Sequence, residues 1–388
     1  MNFPKIDLYQ MVRPAIFKMD PEVDHHLVAN GLKMFNRTPQ VLSTMFQTKK
    51  RANLKVTVKG VTFDSPIGIA AGFDKKAEFY NSLGALGAGF VEIGSITKSN
   101  QPGNRKKRIF RLPEDNAIIN RMGLNNLGVE ETRKHLANTP KHVKLGISVA
   151  PGHGLSSEAM VDEMVDDIRE IHSFGDYIAL NQSCPNQKGV TTLQEIPVAK
   201  QLLQKIHNLH IKEPVFCKFG NDITSEQILE LIKETAGLMD GIILTNTASN
   251  PSTTYDNLQS EHRNEGGGLS GKPIFKKSLS LTKAVHDAYP DLPIMFSGGV
   301  FTPEDAKAAL EAGASLVQVY TGFIYNGPTL LERINRYLSD DQVIENLHHS
   351  DVIAEKPVRN AEDVEVSEIE SDKKVTLDAN SGASFHAE

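Results

Sequence analysis

From residue 51 to residue 340 the chain alternates short, nearly continuous apolar runs with longer stretches of helical periodicity. The apolar runs predict strands over Ile67–Ala71, Phe90–Ile93, Lys144–Val149, Tyr177–Asn181, Val215–Phe219, Gly241–Leu244, Ile294–Ser297 and Leu316–Tyr320. Between most of them the spacing predicts helices, for example over Met160–Ile171, Thr224–Ala236, Pro303–Ala312 and Thr329–Tyr337. Gly313, just past the third of these, is a natural helix stop. Eight strand–helix cycles over about 290 residues match a (β/α)8 TIM barrel better than an open sheet.

The first 50 residues have a different pattern. Leu8, Met11, Val12, Ala15, Ile16 and Met19 recur at helical spacing, and Pro14 is expected to kink or restart that helix. Asp20 as N-cap and Pro21 at the first position open a second helix, with Val23, Leu27, Leu32 and Phe35 along one side. The predicted organisation is therefore an N-terminal helical extension over 1–50, a barrel over 51–340 and a tail over 341–388. Stretches 98–126 and 248–272 resemble insertions after strands, being rich in turn-forming residues.

Charge sharpens this division. The formal net charge is −6, and residues 351–388 alone hold ten acidic against four basic side chains, so the rest of the chain balances at zero. The tail, acidic and without periodicity, reads as a flexible segment with no catalytic part. No basic surface argues for nucleic acid. Two cysteines, Cys184 and Cys217, make neither a disulfide framework nor a zinc set, so no metal is expected. No run of about 18 apolar residues is present to span a bilayer, and the N-terminus lacks the pattern of a secretion signal.

In a barrel, reactive groups gather where strands end and the following loops begin. Small residues in Ser297-Gly298-Gly299 and Tyr320-Thr321-Gly322, after the seventh and eighth strands, let backbone N–H groups approach a phosphate. Such a site fits FMN, a sugar phosphate or a nucleotide equally. Lys75 and Lys218 lie at interior-facing strand ends, where an ammonium needs an anionic partner such as a reduced flavin or a substrate carboxylate. Asn120, Asn181, Asn186 and Asn246 offer donors and acceptors together, which suits a flat ring with carbonyl and N–H edges. Cys184, in the polar loop Ser183-Cys184-Pro185-Asn186, is the candidate proton acceptor, whereas Cys217 sits inside an apolar strand and reads as an inert core residue.

Several motifs then occur in one order: Ala70-Ala71-Gly72-Phe73-Asp74-Lys75, Gln101-Pro102-Gly103-Asn104, Phe110-Arg111-Leu112-Pro113-Glu114-Asp115, Asn120-Arg121-Met122-Gly123, Thr245-Asn246-Thr247, Gly267-Gly268-Leu269-Ser270-Gly271 and Ala314-Ser315-Leu316-Val317-Gln318-Val319-Tyr320. Over about residues 4–340 the chain resembles the class 2, quinone-dependent dihydroorotate dehydrogenases. The resemblance implies oxidation of (S)-dihydroorotate to orotate in UMP biosynthesis, through FMN, with quinone as acceptor. It implies FMN contacts from Ala71, Gly72, Phe73, Asp74, Lys75, Ser95, Ser148, Asn181, Lys218, Thr245, Gly271, Gly299, Tyr320 and Thr321. For dihydroorotate it implies Lys75, Asn120, Arg121, Met122, Gly123, Leu124, Asn181, Asn186, Asn246 and Thr247, with Cys184 as base, and for the quinone side His25, Arg111 and Tyr320.

By the same resemblance the N-terminal helices form a quinone tunnel and rest peripherally on a membrane. That membrane would be the cytoplasmic face of a bacterial cell membrane, or the mitochondrial inner membrane in a eukaryote, and the chain is expected to be a monomer. Three features depart from the family pattern. Cysteine at 184 is a class 1 habit where class 2 enzymes carry serine, Ser148 and Ser95 stand where asparagine and threonine are usual, and the acidic tail has no counterpart. The competing readings are a class 1-like enzyme using fumarate or NAD, and an FMN-binding barrel without turnover.

Overall fold

A computed structural model describes residues 8–182, 195–249, 257–340 and 343. Three helices come first: α1 (Leu8–Ile16), α2 (Pro21–Phe35) and α3 (Pro39–Met45). Asp20 caps α2 by accepting hydrogen bonds from the Glu22 and Val23 backbone N–H groups, and Pro21 occupies the first turn as expected. Pro14, by contrast, lies within α1 instead of breaking it, two residues before the helix ends. The apolar residues of α2 do not share one side. Val23 and Leu27 are 52% and 65% exposed while Leu32 is buried, because at about 100° per residue Val23 and Leu32 point to opposite faces. The short α3 went unpredicted.

A hairpin of β1 (Val56–Val58) and β2 (Val61–Phe63) follows, turning at Lys59 and Gly60, both with positive φ. Val56, Val58 and Phe63 pack on Phe90, Tyr177, Phe216, Ile243, Met295 and Leu316, so the hairpin plugs one end of the barrel.

In chain order the remaining strands are β3 (Ile67–Ile69), β4 (Phe90–Ile96), β5 (Ile109–Leu112), β6 (Ala117–Asn120), β7 (Lys144–Val149), β8 (Tyr177–Asn181), β9 (Val215–Phe219), β10 (Gly241–Leu244), β11 (Gly268–Gly271), β12 (Ile294–Ser297) and β13 (Leu316–Val319). Eight of them close a parallel barrel in the order β10-β12-β13-β3-β4-β7-β8-β9. These are the eight expected runs; β3 and β13 stop short of the predicted ends and β4 runs three residues further. Parallel strands are covered on both faces, which is why they read as unbroken apolar runs.

The helices are α4 (Tyr80–Ala85), α5 (Val129–Ala137), α6 (Ser157–Ile171), α7 (Ile196–His207), α8 (Ser225–Glu234), α9 (Phe275–Ala288), α10 (Pro303–Glu311), α11 (Thr321–Asn326) and α12 (Leu330–Leu338). Thr224 with Gln227 and Thr302 with Asp305 close capping boxes on α8 and α10. Gly313, at φ +100°, ends α10, and a Cβ there would lie 2.1 Å from the His286 ring.

The two stretches read as insertions meet each other. β5, β6 and β11 form an antiparallel sheet in the order β11-β6-β5. This sheet carries Asn120, Ser270 and Gly271 to the same cavity as the barrel strand ends. The helix face of α2 is locked to it by the buried pair Glu22–Arg108, 2.6 Å apart. Of the expected tail only residue 343 falls among the described residues. No described helix is long and apolar enough to cross a membrane.

Candidate active site

At the ends of the barrel strands lies a cavity that opens to solvent. The structure brings most of the expected residues to it. Ala71, Gly72 and Lys75 come from the loop after β3, Ser95 from β4, Asn181 from β8, Lys218 from β9 and Thr245, Asn246 and Thr247 from the end of β10. Asn120, Met122, Gly123 and Leu124 follow β6, Gly271 ends β11, Gly299 follows β12, and Tyr320 and Thr321 follow β13.

Four expected residues lie elsewhere. Arg121 bonds Glu265 at 2.8 Å and the Gly266 carbonyl at 2.9 Å, and stacks over the Phe110 ring, away from the cavity. Asp74 is buried beneath the loop, where its carboxylate accepts the backbone N–H groups of Glu78 and Phe79 at 3.0 and 2.8 Å. Burial pushes that carboxyl up to about 6. Phe73 turns to the other side of the loop, and Ser148 stands behind Ser95 at 2.8 Å. Cys184 and Asn186 lie outside the described residues.

The turns after β12 and β13 are made for close backbone approach. A Cβ on Gly299, at φ +73°, would fall 2.6 Å from the Gly271 carbonyl oxygen, and one on Gly322 would fall 1.9 Å from that of Val300. Side chains are therefore excluded from a cradle that presents backbone and the Thr321 hydroxyl, itself bonded to Ser270 at 2.8 Å.

The cavity floor is polar and mostly self-satisfied. Lys218 Nζ lies 3.1 Å from Glu92 Oε1, while Gln318 and Tyr177 donate to Glu92 Oε2 at 2.6 and 3.2 Å. Burial and the Glu92 charge hold the Tyr177 phenol well above its ordinary range. The anionic partner that Lys218 requires is thus a protein carboxylate. Asn246 donates to Asn181, which donates to Ser95, at 3.4 and 3.0 Å. Asn221 bonds Thr245 and Ser278 at 3.0 and 3.1 Å. Glu92, Gln318, Asn221 and His153 were not anticipated. The one sequence signal was the lone charge of Glu92 inside an apolar strand.

Gln318 lines the cavity, and its buried Oε1 receives no hydrogen bond among the described residues. An acceptor without a donor at the floor of an amide-lined cavity fits a flat ring with N–H edges. The glycine cradle fits a phosphate, so the residues present suit a flavin mononucleotide. Among the described residues no group of three His, Cys, Asp or Glu side chains is placed to hold a metal ion.

A second cavity lies between the N-terminal helices and the barrel and is walled mainly by apolar side chains. Lys75, Asn120, Met122 and Tyr320 line both cavities. The Gly72 carbonyl accepts both the Lys75 ammonium and the Tyr320 hydroxyl, the latter at 3.2 Å. Burial, aided by the Arg108 charge, lowers Lys75 to about 8. Burial, aided by Lys75, lowers His25 to about 3, so its imidazole is neutral at neutral pH. His25, Arg111 and Tyr320 all face this second cavity. Arg111 is not free there, since it pairs with Asp24 and donates to the Phe17 and Met19 carbonyls at 3.2 and 3.0 Å.

The fold and cavities define a β/α-barrel protein with a phosphate-and-ring site and an adjoining apolar chamber. Residues 53–341 match the family model described as dihydroorotate dehydrogenase. A protein of Christiangramia forsetii named dihydroorotate dehydrogenase (quinone) is 41% identical over 337 residues, 84% of this chain and 97% of that protein. One of the same name from Idiomarina loihiensis is 36% identical, covering 85% of this chain and 100% of that protein. The crystal structure of DHODH from Eimeria tenella in complex with ferulenol superposes with a TM-score of 0.74 at 30% identity, over 86% of this chain and 95% of that one. The chain belongs to the dihydroorotate dehydrogenase family.

Proposed function

We propose that this chain oxidises (S)-dihydroorotate to orotate in pyrimidine biosynthesis, with FMN as its cofactor and a quinone as the electron acceptor. The names of its relatives support this reading, and one structural observation carries it: the polar cavity and the apolar chamber share a wall. Lys75, Asn120, Met122 and Tyr320 stand between a site suited to a flavin and pyrimidine and a chamber suited to a lipid-soluble acceptor.

Bound FMN supplies hydride acceptance and electron transfer to quinone. The chain's own residues bind and orient. Gly271, Gly299 and Thr321 offer the cofactor a close backbone cradle, while Asn120, Asn181, Asn246 and Thr247 offer amide and hydroxyl edges to the pyrimidine. Cys184 takes the proton from C5 of dihydroorotate as hydride leaves C6. In this reading residues 51–340 are the FMN barrel, residues 1–50 form the quinone entrance, and 341–388 are an appendage without a catalytic part.

Among the described residues all nine large apolar side chains found exposed fall between Met11 and Met45. A concentration of this kind marks an interaction surface, and we read it as the face that rests on a membrane and admits quinone.

The test is direct. Yellow, FMN-loaded protein should bleach when dihydroorotate is added without oxygen, and a quinone should restore the colour. A protein that stays yellow has no such activity; one that bleaches but is recoloured only by fumarate or NAD uses a soluble acceptor.

A further inference from the structure

The apolar chamber contains one polar anomaly. Asp24 lines it and is 7% exposed. Its Oδ2 is paired with Arg111, but its Oδ1 is buried and accepts no hydrogen bond among the described residues. An unpaired buried carboxylate oxygen is costly, and in an apolar setting it is a strong acceptor waiting for a donor.

None of the neighbouring polar groups on the facing elements fills that role. Arg111 spends one terminal nitrogen on the Phe17 and Met19 carbonyls and the other on Asp24 Oδ2, with its guanidinium 4.6 Å from the Phe17 ring. The Lys75 ammonium is turned to the Gly72 carbonyl. The remaining chamber wall near α1, α2 and β5 is mostly apolar, including Ile16, Phe17, Val28, Ile109 and Ile118, while the Tyr9 hydroxyl there donates to the Ile324 carbonyl and the His25 ring stands edge-on to Phe73.

We propose that Asp24 is a specificity-determining residue of the acceptor site: its free Oδ1 accepts a hydrogen bond from a hydroxyl on the aromatic ligand that enters the chamber. The inference rests on the quinone reading above and deepens it. The reduced product, a quinol, carries the donor that Oδ1 lacks. The same carboxylate neutralises Arg111, so the chamber discriminates against ligands that bear a carboxylate of their own, which Arg111 would otherwise attract.

The experiment is an anaerobic titration of the FMN-loaded full chain with three probes: a short-chain quinol, its dimethyl ether, and a biaryl carboxylic acid of similar size. A site built to bond a hydroxyl rejects the analogue lacking it, so the wild type should prefer quinol over ether by at least about ten-fold. In Asp24→Ala that ratio should fall towards one, and the carboxylic acid should bind at least about ten-fold more tightly through the released Arg111. Asp24→Asn, which keeps an acceptor without the charge, should retain the quinol preference, and bound-flavin absorbance and circular dichroism show that each variant is folded. Equal binding of quinol and ether by the wild type overturns the role of Asp24 alone, as does a ratio unchanged in Asp24→Ala. Failure of the wild type to bind either ring overturns the quinone reading itself and this inference with it.

Discussion

Lys218 and Glu92 form an ion pair inside the barrel, 3.1 Å apart, with side chains 6% and 0% exposed. Glu92 keeps two other donors, Gln318 and Tyr177, whereas Glu92 is the partner the structure gives the Lys218 ammonium. Removing one member of a buried pair strands the other and costs about 3–5 kcal/mol. Glu92→Gln should therefore destabilise the protein by about that amount in chemical denaturation, and Lys218→Met by less. The double variant should be more stable than Glu92→Gln alone. Losses that simply add in the double variant would show that the two side chains act independently.

The exposed side chains of α2 give a second prediction. Val23 and Leu27 are 52% and 65% exposed and make no core, so replacing both by Glu should alter stability by no more than about 0.5 kcal/mol per site. On a membrane surface the same change removes buried apolar area and adds two charges, so cosedimentation with phosphatidylcholine vesicles should be lost. Turnover with a long-chain quinone embedded in those vesicles should fall with it. Vesicle binding equal to that of the wild type would remove this face from the membrane contact.

Much of the frame was legible because each barrel strand is covered on both sides and therefore reads as an apolar run, and because caps such as Asp20 and Gly313 act through local chemistry. The β1–β2 hairpin escaped because its strands are three residues each and alternate with polar positions. The sheet of β5, β6 and β11 escaped for another reason: its third strand comes from a segment nearly 150 residues away, with Asn120 paired to Gly268. Long-range pairing leaves no local trace. The same holds for Glu92 and Lys218, 126 positions apart, and for Asp24 with Arg111. Each of those cations was recognised, but its partner was fixed only by the register of separate elements.

The two cysteines should behave differently. Burial drives the Cys217 thiol far above its ordinary range, so Cys217→Ser should leave the pH profile of flavin reduction unchanged. If Cys184 is the base, Cys184→Ala should keep FMN bound yet slow anaerobic reduction by dihydroorotate at least about 100-fold. The wild-type rate should rise with a pKa at or below about 8.5, the value of a free thiol. Rapid reduction by the Ala variant would exclude Cys184 as the proton acceptor.

The final prediction concerns Asp167 on α6, which is fully buried and whose two carboxyl oxygens accept no hydrogen bond among the described residues. Lys98 Nζ lies 3.8 Å away, but burial first, and then the Glu163 charge, raise the carboxyl from 3.8 to about 7. The folded chain thus holds a proton between about pH 4 and 7 that the unfolded chain has released. A group that binds protons more tightly when folded lowers stability as pH rises across that window, and the loss is complete above it. Asp167→Asn keeps the shape and removes the titration. It should therefore stabilise the protein most at pH 8, with the gain shrinking as pH falls towards 4. Denaturant midpoints of both proteins between pH 4 and 8 check this, and a gain that is the same at both ends would show that Asp167 is not protonated on folding.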